Sequence, residues 1–165
     1  MKKIIYLASF RAILKFKNVT YQDIKENRDI KGCMLDVELK DYDILVATPP
    51  CNYYSKANYR RENSDYSQKT KHLLPAILKK FIETGKPFIV ENVRNSRIFS
   101  EIGIYKLGCF VYHINRHTYF SSHMLPINSE MIKCKPSGIK NKSKSARQGG
   151  DEVNDIIELF IETLL

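Results

Sequence analysis

Asp43-Ile44-Leu45-Val46-Ala47-Thr48-Pro49-Pro50-Cys51 is an apolar run that ends in two prolines and a cysteine. Four apolar residues in succession, short of the length of a helix, read as a buried strand. Neither proline can donate to a sheet ladder, so the strand stops before Pro49 and Cys51 emerges beyond its carboxyl end. In open α/β sheets this is the edge at which ligands bind. A thiol placed there gains reactivity if cations or backbone donors lower its pKa.

Outward from this run, further strand-like stretches lie at Ile4 to Ala8, Val19 to Asp23, Phe88 to Val90 and Cys109 to Ile114. Between the central strand and Phe88, the residues Leu73, Leu74, Ile77, Leu78, Phe81 and Ile82 repeat at helical spacing, Pro75 suits the first turn, and Gly85 with Pro87 supplies the stop. A second stripe, Val153, Ile156, Ile157, Phe160, Ile161 and Leu164, predicts a closing helix with Asp151 and Glu152 at its positive N-terminal end. The rhythm is α/β. With 165 residues the chain fits one domain spanning 1–165, and Ser121 to Gln148, rich in turn residues, reads as an excursion from it.

The net charge of +9 is unevenly spread. Six basic residues and no acid fall between Lys133 and Arg147, whereas Asp151 to Leu165 holds five acids and no base. A second basic stretch, Lys56 to Lys71, interleaves Arg60, Arg61 and Lys69 with Tyr59 and Tyr66. Such patches attract a polyanion by neutralising phosphates, and the tyrosines add stacking surfaces. For the lysine-rich loop alone, plain solubility is the competing reading. Cys33, Cys51, Cys109 and Cys134 are scattered without paired spacing, which suggests neither a disulfide framework nor a zinc site. No apolar run reaches the roughly 20 residues of a membrane helix. Arg11 cuts short the apolar start that mimics a signal peptide, so the expectation is a cytoplasmic protein with reduced thiols.

Pro49-Pro50-Cys51, with Ser55, Ala57 and Asn58 following, resembles the catalytic-loop motif of the DNA cytosine-5 methyltransferases. Lys86-Pro87-Phe88-Ile89-Val90-Glu91-Asn92-Val93 is similar to that family's strand ending in Glu-Asn-Val, Asn115-Arg116-His117 falls where the family carries an arginine element, and Gly150-Asp151-Glu152-Val153-Asn154 looks like the turn before its last helix. The resemblance implies a Rossmann-like class I methyltransferase fold with a single open, mostly parallel sheet. It implies DNA as partner and S-adenosylmethionine as cofactor. Cys51 is then the nucleophile on carbon 6 of a flipped cytosine, Glu91 the acid that binds the ring, and Arg116 a further catalytic group. Asp23, Asp36, Pro49, Asn92, Asp151 and Val153 become the cofactor contacts, and Ser55, Lys56, Asn58, Arg60 and Arg61 the nucleic-acid contacts.

The sequence departs from that family in three places. Leu7-Ala8-Ser9-Phe10-Arg11 replaces its glycine loop, the first glycine being Gly32, and only the ten residues from Ser9 to Asn18 remain for a crossover between strands. Weak cofactor binding follows, with Ser9 and Arg11 on the glycine positions. Thr118 stands where a second arginine is expected. Between Arg116 and Gly150 there is no room for a target-recognition domain, so specificity is low or comes from a protein partner. A non-catalytic DNA- or protein-binding module, and one half of a split methyltransferase, are the alternatives. With basic residues outnumbering base readers, affinity for duplex DNA should fall on the order of a thousandfold between about 50 and 200 mM salt, as measured by fluorescence anisotropy, and vary little among unrelated sequences.

Overall fold

The computed structural model describes residues 1–9, 12–25, 28–60, 62–94, 98, 108–127 and 142–165, with 142–151 described by their backbone alone. Seven strands form one sheet: β1 (Ile4–Leu7), β2 (Val19–Asp23), β3 (Ile30–Lys31), β4 (Ile44–Ala47), β5 (Phe88–Val93), β6 (Phe110–Ile114) and β7 (His117–Ser121). Their order is β3-β2-β1-β4-β5-β7-β6. Strands β1 to β5 pair in parallel, and β7 runs antiparallel between β5 and β6. This is the open, mostly parallel, Rossmann-like sheet expected from the sequence. The chain leaves β1 toward β2 and β3, then returns to the other side of β1 as β4. The reversal places a crevice at the carboxyl ends of β1 and β4, where no crossover covers the edge.

Every residue of β1 and β4 is buried, because both sheet faces are covered. On one face Ile5, Leu7, Leu45, Ala47, Phe88 and Val90 pack against Leu74, Ile77, Leu78 and Phe81 of helix α2 (Leu73–Thr84), which follows a short helix α1 (Asp65–Thr70). On the other, Ile4, Tyr6, Val46 and Ile89 meet Ile156, Ile157, Phe160 and Ile161 of helix α3 (Lys142–Glu162). Each buried Val, Leu, Ile or Phe side chain among these contributes about 1.5–3 kcal/mol by leaving water. As read from the sequence, α2 stops at Gly85, whose φ of 65° lets its N–H reach the Ile82 carbonyl.

Three elements escaped the reading. β3 has only two residues, α1 only six, and β7 is the mixed stretch His-Thr-Tyr-Phe-Ser, whose polar residues are buried because they lie between two paired strands. The last helix also starts earlier than expected. It runs from Lys142 through Gly149 and Gly150, so Asp151 and Glu152 sit within it rather than at its N-terminal end, and the expected turn at Gly150 to Asn154 is helical. Once the packed stripe from Val153 onward is helical, each preceding residue adds a hydrogen bond at low cost, which offsets about 1 kcal/mol per glycine. The connection from β1 to β2 shows no helix among its described residues. It is pinned instead by Leu14 N–H on the Tyr21 hydroxyl (2.8 Å) and Lys15 N–H on the Glu158 carboxylate of α3 (2.7 Å).

Between β3 and β4 the described chain has one 3-10 turn, Met34–Asp36, in place of a covering helix. Two lysines hold it. Lys80 Nζ donates to the carbonyls of Leu35 and Val37 (2.6 and 2.7 Å), and Lys86 Nζ to those of Leu39, Lys40 and Tyr42 (2.8, 2.7 and 2.6 Å). Lys86→Met should cost about 2 kcal/mol in urea unfolding, since it strips three carbonyls of a charged donor, whereas Lys79→Met on the exposed face of α2 should change stability by less than about 0.5 kcal/mol.

Candidate active site

The strand ends surround a cleft of about 1100 Å³ lined by Ala8 after β1, Asp23 at the end of β2, Thr48 to Asn52 after β4, Glu91 on β5, and Asn115 to His117 between β6 and β7. Its construction begins with the two prolines. Thr48 ties the exit of β4 to β1, its N–H on the Leu7 carbonyl (3.1 Å) and its hydroxyl on that of Ala8 (2.9 Å). The Asn92 side chain, fully buried, donates from Nδ2 to the Pro49 carbonyl (3.0 Å), while its Oδ1 accepts the N–H of Val93 (3.0 Å). Beyond the turn, the Cys51 carbonyl accepts the N–H groups of Tyr54 and Ser55 (3.0 and 2.8 Å), and Tyr54 is anchored in the core with its hydroxyl on the Lys71 carbonyl (3.1 Å). Cys51 is therefore held from both sides, half-buried, facing the cleft.

Strand alternation brings Glu91 to the same cleft from β5. Burial first, and the Glu91 carboxylate second, push the Cys51 thiol above its ordinary value. The condition for a reactive thiol, surroundings that lower its pKa, is therefore not met in the free protein, where this sulfur is a thiol at neutral pH. Cys109 is also raised, by burial alone. Cys33 is exposed on the cleft wall, and Cys134 lies outside the described residues.

The residue that meets Glu91 is His117. Its Nδ1 lies 2.6 Å from Glu91 Oε1, with both side chains largely buried, whereas Arg116 is exposed at the rim with its carbonyl accepting the Arg94 N–H (2.7 Å). The reason is register. Ile114 pairs with His117 across β6 and β7, which makes Asn115 (φ 52°) and Arg116 the turn, and Glu91 pairs with Tyr119, which puts His117 diagonally beside Glu91 on one face. The alternation His117, Tyr119 carried this signal in the sequence, but only once the turn is placed at Asn115-Arg116.

The other expected site residues divide. Asp23, Pro49, Ser55 and Lys56 line the cleft. Asp36 lines a separate, smaller cleft, because the lysine-held turn carries it away. Val153 is a buried core residue of α3, and Asn92 serves the turn. Asn58 binds the Asn52 carbonyl and the buried Ser67 hydroxyl (3.1 and 3.0 Å), so its amide is committed to loop structure. Arg60 is exposed, its guanidinium 5.3 Å from the Tyr59 ring centre. Arg61, Phe10, Arg11, Lys133, Lys135 and Lys140 lie outside the described residues, as does the Asp151 side chain.

A family of known proteins matches this part of the chain: C-5 cytosine-specific DNA methylase, over residues 3–101. The chain belongs to that family. No curated protein matches it. The matched span runs from β1 past β5 and so includes both Cys51 and Glu91 of the methylase cleft, while His117 lies beyond it. The fold is accordingly a Rossmann-like methyltransferase fold.

The family acts with S-adenosylmethionine, and the residues here fit it in part. Asp23 offers a carboxylate at the end of β2 beside apolar Ile24 and Met34. At the end of β1, however, the Ala8 N–H is taken by Gln22 Oε1 and the Ser9 N–H by the Gln22 carbonyl (both 3.0 Å), with Gln22 itself fully buried. The left-handed backbone of this loop falls on Ala8 (φ 53°), not on Ser9. Two amides that would receive an anionic group are therefore already satisfied.

Alkylation of Cys51 by iodoacetamide, followed on its own peptide by mass spectrometry, should be slow at pH 7 and still rising through pH 9. Glu91→Gln should accelerate it, since removing the carboxylate lowers the thiol's pKa.

Proposed function

We propose that this chain activates cytosine in DNA for methylation at carbon 5. The observation that carries the reading is the convergence of Cys51 and Glu91 on one cleft from the ends of the adjacent strands β4 and β5, close enough for the carboxylate to raise the thiol. Cytosine carbon 6 is a poor electrophile until its ring nitrogen is protonated or strongly hydrogen-bonded, so one base must meet the nucleophile and the acid together.

The sulfur of Cys51 bonds to carbon 6 as its proton leaves to solvent. The electron pair displaced from the 5,6 double bond enters the ring, whose nitrogen 3 takes the proton that the Glu91 carboxylate picks up from solvent as the base enters. Carbon 5 becomes nucleophilic. S-adenosylmethionine, when bound, supplies the methyl group. Water takes the carbon 5 proton, the electron pair it leaves expels Cys51 as thiolate, and nitrogen 3 gives its proton back to Glu91. A base reaches this cleft only when flipped from the duplex, at a cost of a few kcal/mol that cationic contacts to the backbone from Lys56 and Arg116 at the cleft and from the exposed Arg60 offset.

A second reading, a DNA-occupying module that depends on a partner chain for cofactor and target choice, is favoured by the two committed amides after β1. One experiment separates them. DNA containing 5-fluorocytosine, incubated with the protein and S-adenosylmethionine, should give an adduct that survives denaturation and is absent in Cys51→Ser, because fluorine blocks the final elimination. Binding of both ligands without an adduct would leave the second reading as the better account.

A further inference from the structure

The contact between His117 and Glu91 has no part in the chemistry above. A carboxylate and an imidazole 2.6 Å apart, with side chains 12 % and 18 % exposed, share one strong hydrogen bond in a site where water screens poorly. The bond occupies Oε1 and so fixes which carboxyl oxygen, Oε2, is left to face the cleft. Imidazole is also the side chain whose charge ordinarily changes between about pH 5 and 8. When it carries a proton the pair is neutral overall, and when it does not the pair is an anion beside Cys51.

We infer that His117 is a positioning residue whose protonation sets the charge that Cys51 faces: as imidazolium it cancels the Glu91 carboxylate and makes the thiolate accessible, and as neutral imidazole it leaves the carboxylate opposing it. The sulfur's ionisation answers to burial and to Glu91, so His117 acts on it through the carboxylate. The other charged and titratable groups around the pair come from every neighbouring element. Arg94 follows β5, Arg116 and Tyr119 flank His117, and His113 stands on β6 with its ring on the Thr118 hydroxyl. Tyr6 stands on β1, and Glu152 and Asp155 on α3, where Glu152 accepts a hydrogen bond from Asn115. Among these, His117 is the group in hydrogen-bond contact with Glu91. Its consequence for catalysis rests on the reading of Cys51 as nucleophile, but its effect on the sulfur is present in the free protein.

The test therefore reads the sulfur directly, as the iodoacetamide rate on the Cys51 peptide from pH 5.5 to 9, in wild type, His117→Gln, His117→Arg, Glu91→Gln and the Glu91→Gln/His117→Gln double variant. At the acidic end His117→Gln should be slower than wild type by on the order of tenfold, one unit of thiol ionisation, and the two should converge at the alkaline end. His117→Arg, a permanent cation, should match wild type at the acidic end and exceed it at the alkaline end. In the Glu91→Gln background the effect of His117→Gln should shrink to less than about twofold, the signature of an action carried by the carboxylate. Equal rates for His117→Gln and wild type at every pH would overturn the inference, as would an effect of undiminished size without Glu91. Should the alkylation pattern hold while 5-fluorocytosine DNA gives no adduct, the charge coupling stands and the cytosine reading falls.

Discussion

One buried amide holds the two halves of the site in register. Asn92 spends its Nδ2 on the Pro49 carbonyl and its Oδ1 on the next backbone N–H, so the turn that presents Cys51 is fastened to the strand that presents Glu91. Prolines make this necessary. Pro49 and Pro50 release the chain from the ladder but bring no donors of their own, and the Pro49 carbonyl would otherwise be left unpaired at the edge of the core. The side chain that satisfies it comes from the residue next to the acid. Cys51 and Glu91 are thereby joined by a path of one hydrogen bond and a few covalent links, a stiff coupling added to the ladder between β4 and β5.

The charge arrangement around that path is costly by design. A half-buried sulfur beside a carboxylate has its anionic form disfavoured twice, by poor solvation and by repulsion. Activation must then come from whatever neutralises the carboxylate, whether the protonated base of a bound nucleotide or the imidazole at its flank. This makes Cys51 of the free protein a poor nucleophile toward general electrophiles.

Much of this was legible in the sequence. The apolar runs at Ile4, Val19, Ile44 and Phe88 gave four of the five parallel strands at their N-terminal ends, most plainly β1 and β4, which are buried on both faces and carry no charged residue. The prolines located Cys51, and order along the chain located Glu91. What stayed hidden depends on pairing between distant residues. The diagonal contact of His117 with Glu91 follows from hairpin register, and the departure of Asp36 from the cleft follows from lysines more than forty residues away. Val153 shows the reverse error: a residue placed in the site by its neighbours in sequence belongs to the helix stripe that buries it.

The lysine-held turn between β3 and β4 ties this wall of the cleft to the rest of the protein in an unusual way. Cys33 and Met34 line the cleft, yet the segment that carries them hangs from the ammonium groups of Lys80 and Lys86, at and just beyond the end of α2. A covering helix would satisfy its own backbone and could come and go as a unit. Here five backbone carbonyls are held by those two ammonium groups instead, so loosening of the C-terminal half of α2 and opening of the wall are coupled. The helix thus meets the cleft twice, directly through Leu73 at its first residue and indirectly through the lysines toward its other end, so that its far end helps to set how wide the cleft stands.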